Sequence, residues 1–273
     1  MLDSDIPFWP ASWANPFGER QTKPRSRGLT MVIDKGLGLN TFHDLMELAA
    51  PHIDIYKLGF GTSTLYPAGV LYQKVALAKA LDLHIMPGGT LFEIAIRHSP
   101  PETYMARLLD LGFNAVEISD GTFPLSADMR RRAIAAAADA GLTVYTEFGK
   151  KAAHFRAERD DLLRTLEQDV RAGASYVIVE ARESGTVGVF DGKGMVDHAF
   201  LQEIAQAAGD HAGRLIWEAP HKEQQVALIR ALGCDVNLGN VAYTDILAVE
   251  TLRRGLRADT AGFLEGRRTA PCE

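Results

Sequence analysis

The chain has 273 residues, 47% of them hydrophobic, enough for a large core built either as two small domains or as one α/β barrel. A formal net charge of −6, with acids and bases interspersed, argues against attachment to nucleic acid or to an acidic membrane by bulk electrostatics, so any bound anion must meet a local basic site. The cysteines, Cys234 and Cys272, offer neither a disulfide framework nor a CxxC metal site, and a reducing cytoplasm is the expected setting.

The opening stretch MLDSDIPFWPASWANPFGER lacks a basic segment followed by a continuous apolar one, so no signal peptide is expected. No apolar run approaches the roughly 20 residues that span a bilayer. Residues 1–25 read as an irregular arm. Its Trp9, Trp13 and Phe17, set among Pro7, Pro10 and Pro16, are suited to cover apolar surface on this domain or on a second subunit, which favours a homo-oligomer.

Beyond the arm, β-branched apolar runs recur at even spacing: TMVID (30–34), IDIYKLG (53–59), HIMPGG (84–89), AVEISD (115–120), TVYTEFG (143–149), YVIVEARE (176–183), RLIWEAP (214–220) and VNLGN (236–240). Helical periodicity fills the gaps at 41–50, 67–81, 91–97 with 101–111, 126–140, 158–172, 197–208, 221–232 and 243–255. Several helices end on glycine just before the next run, as in AGLTVYTE and AGASYVIV, the left-handed stop that lets a βα unit restart. No linker or composition shift divides residues 28–260. The reading is therefore a single α/β domain, a (β/α)8 barrel over residues 26–262, with a tail at 263–273. An open doubly wound sheet would carry GxGxxG or GxxxxGK[ST] after its first strand; DKGLGLN matches neither.

Barrel active sites lie at the carboxyl ends of the strands, and each predicted strand ends in polar residues. Period-two alternation places Glu117 with Ser119, and Glu180 with Arg182, on one face. With these turned inward, Glu117, Glu147, Glu180 and Glu218 occupy corresponding positions on four consecutive strands. Carboxylates that close repel unless cations neutralise them, and Mg²⁺, which prefers hard oxygen ligands, fits that need. The alternative is an acid–base network that only fixes packing. Two loops offer backbone N–H groups to an anion: PGGT, with Gly88 and Gly89, and NLGN, with Asn237, Gly239 and Asn240. Glycine there also simply permits a tight turn. The histidines show no metal-ligand spacing, and Arg130 to Arg132 in the Ala-rich RRRAIAAAADA read as solvated.

Taken in order, RGLTMVIDKGLG (27–38), YKLGFGTS (56–63), PGGTLFEIA (87–95), LGFNAVEISDG (111–121), TEFGKK (146–151), VIVEARESG (177–185), WEAPHKEQQV (217–226), VNLGN (236–240) and VETLRRGLRADT (249–260) resemble the phosphosulfolactate synthase family. The resemblance implies a Mg²⁺-dependent (β/α)8 enzyme that joins sulfite to phosphoenolpyruvate, giving 2-phospho-3-sulfolactate for coenzyme M or sulfolactate synthesis. It implies a lysine general acid in TEFGKK, where alternation favours Lys151 over Lys150. It further implies Lys35, Lys57 and Arg182 as anion binders, and Glu147, Glu180 and Glu218 as metal ligands with Asp34 and Glu117 as substitutes. Two other readings are a noncatalytic, stress-related barrel of the same type and the same chemistry with another nucleophile.

Overall fold

Each β-branched run forms a strand, and the strands are all parallel. They are β1 (Thr30–Asp34), β2 (Ile55–Leu58), β3 (His84–Pro87), β4 (Ala115–Ile118), β5 (Thr143–Phe148), β6 (Tyr176–Val179), β7 (Leu215–Glu218) and β8 (Leu238–Ala242). The helices are α1 (Ala11–Ala14), α2 (Leu39–Ala49), α3 (Ala68–Ala80), α4 (Gly89–Ala95), α5 (Pro101–Asp110), α6 (Ala127–Asp139), α7 (Arg159–Ala172), α8 (His198–Ala208), α9 (Lys222–Leu232), α10 (Ile246–Arg253) and α11 (Ala258–Ala261). The computed structural model describes residues 8–149, 157–181, 189 and 196–262. Lys150, Lys151 and Arg182 lie outside the described residues.

The hydrogen-bonded order β3-β2-β1-β8-β7-β6-β5-β4 makes a nearly closed (β/α)8 barrel whose seam falls between β3 and β4. At the seam a side chain stands in for the ladder: Asn114 Oδ1 accepts from Ile85 N–H at 2.7 Å, and its Nδ2 donates to Leu83 O at 3.0 Å. Leu29, Met31, Ile55, Met86, Ala115, Tyr145, Ile178 and Ile216 fill the lower barrel interior. The other face of each strand packs on the helices, with Val116 and Ile118 in one outer cluster and Val177 and Val179 in another. That alternation is the physical reason the runs read as nearly continuous apolar stretches.

The amino end of the barrel is closed by cations that take up backbone carbonyls. Arg253, fully buried, donates to Cys234 O, Val236 O and Leu29 O. The arm runs below: Arg20 donates to Gly28 O and pairs with Glu250, Lys23 donates to Ala50 O and Leu81 O, and Arg25 pairs with Asp54. Phe17 packs on Gly255, where a Cβ would meet its ring at 2.6 Å. Phe8, Trp9 and Trp13 remain exposed. Among the described residues no helix is long and apolar enough to cross a membrane.

Candidate active site

Each ring acid follows, by two residues on its own strand, a side chain of the inner core: Ala115 precedes Glu117, Tyr145 precedes Glu147, Ile178 precedes Glu180, and Ile216 precedes Glu218. Period-two alternation therefore carries all four carboxylates inward, one layer above the apolar floor. All four are buried, at 1–4% exposure. Lys57 rises the same way above Ile55 on β2, and its Nζ lies 3.3 Å from Glu117 Oε1 and 3.4 Å from Glu218 Oε1.

Burial works against the Lys57 charge, but Glu117, Glu218, Glu147 and Glu180 outweigh it and hold the ammonium above its usual range. Glu218 also moves up, but for a different reason. Burial first and the Glu180 charge second push it to about 8, against the opposing pull of Lys57 and of the Ala181 N–H, which donates to Glu218 Oε2 at 3.0 Å. The ring is an electrostatically coupled unit built by four strands and closed by one lysine from across the barrel.

The other expected residues divide. Lys35 is exposed at the end of β1. Asp34 is saturated: its Oδ1 accepts from Gly36 N–H, Leu37 N–H and Tyr66 OH, and its Oδ2 from Tyr56 OH and the buried Lys74 ammonium. That makes it the anchor of the loop carrying Lys35. Gly88 and Gly89 have a steric reason to be glycine, since a Cβ would meet Phe60 N at 2.6 Å and Ser119 Oγ at 2.6 Å respectively. Gly239 lies level with Glu218, against Met31 and Ile216, and Asn240 is buried beside it with its Oδ1 unpartnered.

Asn237 is a correction. The last strand runs Leu238–Ala242, two residues later than expected, so Asn237 sits at the amino end of the barrel. There its Oδ1 accepts from Leu29 N–H and its Nδ2 donates to Gly213 O and Leu215 O, below the level of the acid ring. It ties strands together as a cap and is not part of an anion loop.

Three positioning groups were given no site role by the sequence. Lys74 on α3 is fully buried against Asp34 and over the Tyr66 ring. Glu93 on α4 accepts from Ser119 OH, Thr122 N–H and Phe123 N–H, and so shapes the loop after β4. Arg130 is not solvated with its neighbours: it pairs with Asp169 and Asp120 and donates to Glu147 O, whereas Arg131 and Arg132 make exposed pairs. The signal for Arg130 was present, because it shares a helical face with the buried Ile134 and Ala137.

The donors suit a hard divalent cation. The ring offers carboxylate oxygens only, and Glu117 Oε2 is buried with no hydrogen-bond partner. Among the described residues no three His, Cys, Asp or Glu side chains already converge on one point. For Mg²⁺ none is required, since it is commonly held by one or two carboxylates and completed by water and substrate oxygens.

Comparison with known proteins agrees with this architecture. Residues 18–259 match the family model described as (2R)-phospho-3-sulfolactate synthase (ComA). The chain is 42% identical over 246 residues to the phosphosulfolactate synthase of Methanothermobacter thermautotrophicus, covering 89% of this chain and 95% of that one. It is 41% identical to that of Methanocaldococcus jannaschii (86% and 94% covered) and 37% identical to that of Bacillus subtilis (88% and 95% covered). Among solved structures, 3-hexulose-6-phosphate synthase from Salmonella typhimurium superposes with a TM-score of 0.52 at 16% identity, covering 87% of this chain and 95% of that one. The carboxyl transferase domain of Rhizobium etli pyruvate carboxylase with 3-bromopyruvate gives 0.53 at 11% identity, covering 80% and 40%; both likenesses concern the fold alone. With the strand-end motifs, the barrel and a match over nearly its whole length in agreement, the chain belongs to the phosphosulfolactate synthase family.

Proposed function

We propose that the protein is a phosphosulfolactate synthase that adds sulfite to C3 of phosphoenolpyruvate. The observation that carries this reading is the ring of Glu117, Glu147, Glu180 and Glu218 around Lys57 at the catalytic end of a barrel 42% identical to a phosphosulfolactate synthase. In the reaction the sulfite sulfur lone pair forms the C3–S bond, and the C2–C3 π pair moves into the carboxylate as an enediolate. A proton then adds at C2. The phosphate ester stays intact.

Mg²⁺, held by one or two of Glu147, Glu180 and Glu218 and completed by water and substrate oxygens, would supply Lewis-acid stabilisation of the enediolate charge. Glu117 keeps Lys57 charged, and Lys57 in turn offsets the ring, so that anionic substrates meet a less negative floor. Lys35 and Arg182 bind the substrate anions, with Gly88, Gly89, Gly239 and Asn240 supplying backbone and amide donors. Lys151 or Lys150 delivers the proton to C2. We place the reaction in the cytoplasm, in line with the sparse cysteine, and the active form as a homo-oligomer, in line with the exposed aromatics of the arm.

The test is direct. Purified protein supplied with phosphoenolpyruvate, sulfite and Mg²⁺ is expected to consume sulfite and to convert the ³¹P signal of phosphoenolpyruvate into that of a new phosphate ester, without inorganic phosphate. Unchanged substrate at high enzyme concentration would sink the reading.

A further inference from the structure

We propose that Arg130 is a positioning residue for this reaction: its guanidinium fixes the end of β5 to the end of β4 and so holds the Glu147 carboxylate in the ring. The inference rests on the synthase reading above.

The geometry starts from α6. Of three successive arginines only Arg130 turns under the helix, with its side chain 13% exposed. Its Nε and Nη2 grip the two oxygens of Asp169 on α7 at 2.9 and 2.6 Å, a fork-to-fork pair with a carboxylate that is itself 4% exposed. An anchoring ion pair would need no more. Yet Nη1 also reaches Asp120, just beyond β4, at 3.2 Å, and Nη2 donates to the Glu147 carbonyl at 3.0 Å.

One planar cation thus joins α6, α7 and the two strand ends that carry Glu117 and Glu147. The bond to the Glu147 carbonyl falls two residues before Gly149, whose φ of +141° is a conformation glycine tolerates and other residues rarely adopt. Rotation of the Glu147 peptide would carry its side chain out of the ring, and the guanidinium resists that rotation. Lysine keeps the charge but lacks the fork, and so cannot serve Asp169, Asp120 and the carbonyl together. The guanidinium also lines an open groove of about 610 Å³ between α6 and α7, with Phe148, Gly149, Thr165 and Gln168, which gives a small solute access to it.

The experiment compares wild type, Arg130→Lys and Arg130→Ala at saturating Mg²⁺, with folding checked by circular dichroism. Both variants are expected to lose at least about tenfold in kcat with KM for phosphoenolpyruvate changed by less than about threefold, the pattern of a displaced catalytic group. Added guanidinium at low millimolar concentration should restore part of the Arg130→Ala activity but none of the Arg130→Lys deficit. Independently of turnover, amide hydrogen exchange across residues 143–149 should quicken while β1 and β8 stay unchanged. A folded variant with wild-type kcat, or unaltered exchange at 143–149, overturns the proposal. If Arg130→Ala does not fold, Asp120→Asn, which leaves the Arg130–Asp169 pair in place, is judged by the same two readouts. An inactive wild type defeats the synthase reading instead, and the exchange result still decides whether Arg130 holds β5.

Discussion

Lys57 stands where a small change has a large effect. Removing it leaves Glu117 and Glu218 buried with no cation between them, and stripping one partner from a buried pair costs roughly 3–5 kcal/mol. Lys57→Met should therefore lower the urea midpoint, more at pH 8 than at pH 6, because the stranded acids relieve the cost by taking up protons. Turnover should fall at least about a hundredfold, as for loss of a preorganised electrostatic partner. Equal destabilisation at the two pH values would contradict the coupling. Glu218 gives a second expectation, with the opposite sense to an ordinary ion-paired carboxylate. Its pKa rises from 4.5 to about 8 on folding, so between those values the folded protein binds more protons than the unfolded chain, and stability falls as pH rises through that window. In Glu218→Gln this component is absent. Melting temperatures at pH 5.5, 7 and 8.5 without divalent cations should fall less steeply than in wild type, and identical slopes would refute the assignment.

At the scale of elements, Asn114 carries the seam. Its two side-chain hydrogen bonds replace a backbone ladder, so Asn114→Ala should cost about 2 kcal/mol in urea unfolding, at roughly 1 kcal/mol per bond. A loss under a few tenths would mean that β3 and β4 hold without it. Element positions were largely legible in the sequence because period-two and period-3.6 patterns survive in a barrel: β1 matches its expected bounds, and α3 and α6 are each one residue shorter at either end. The inward set Glu117, Glu147, Glu180 and Glu218 follows from the same alternation. What failed did so for identifiable reasons. β8 continues through Val241 and Ala242 past Asn240, whose φ of +52° and the register shift against β1 break the regular strand pattern. The ion pairs of Lys74 and Arg130 were not legible because their partners, Asp34 and Asp169, come from elements far away in sequence, and no local pattern encodes that pairing, although the helical face of Arg130 did mark it as turned inward.

The whole molecule divides its labour between the two ends of the barrel. Arginine and lysine close the amino end on carbonyls, while acids gather at the carboxyl end around the proposed chemistry. The arm belongs to the first of these ends, and the family match beginning at residue 18 includes its Arg20 contacts. Its tip differs: Trp9 and Trp13 are 65% and 64% exposed. If they meet a second subunit, the double substitution Trp9→Ala/Trp13→Ala should lower the mass found by light scattering while leaving the melting temperature within a few degrees, since neither ring packs in this subunit's core. An unchanged mass would remove the arm from assembly. The seam has a consequence for the whole barrel. Lys57 belongs to β2 and Glu117 to β4, so their contact bridges the gap that Asn114 spans lower down. The ion pair therefore acts as a strain gauge. Any parting of β3 from β4 weakens the grip of Lys57 on Glu117, so the mechanical looseness of the barrel is registered as a change in acidity at its mouth. Asn114→Ala, although at the opposite end, should for that reason shift the pH profile of turnover as well as the unfolding midpoint.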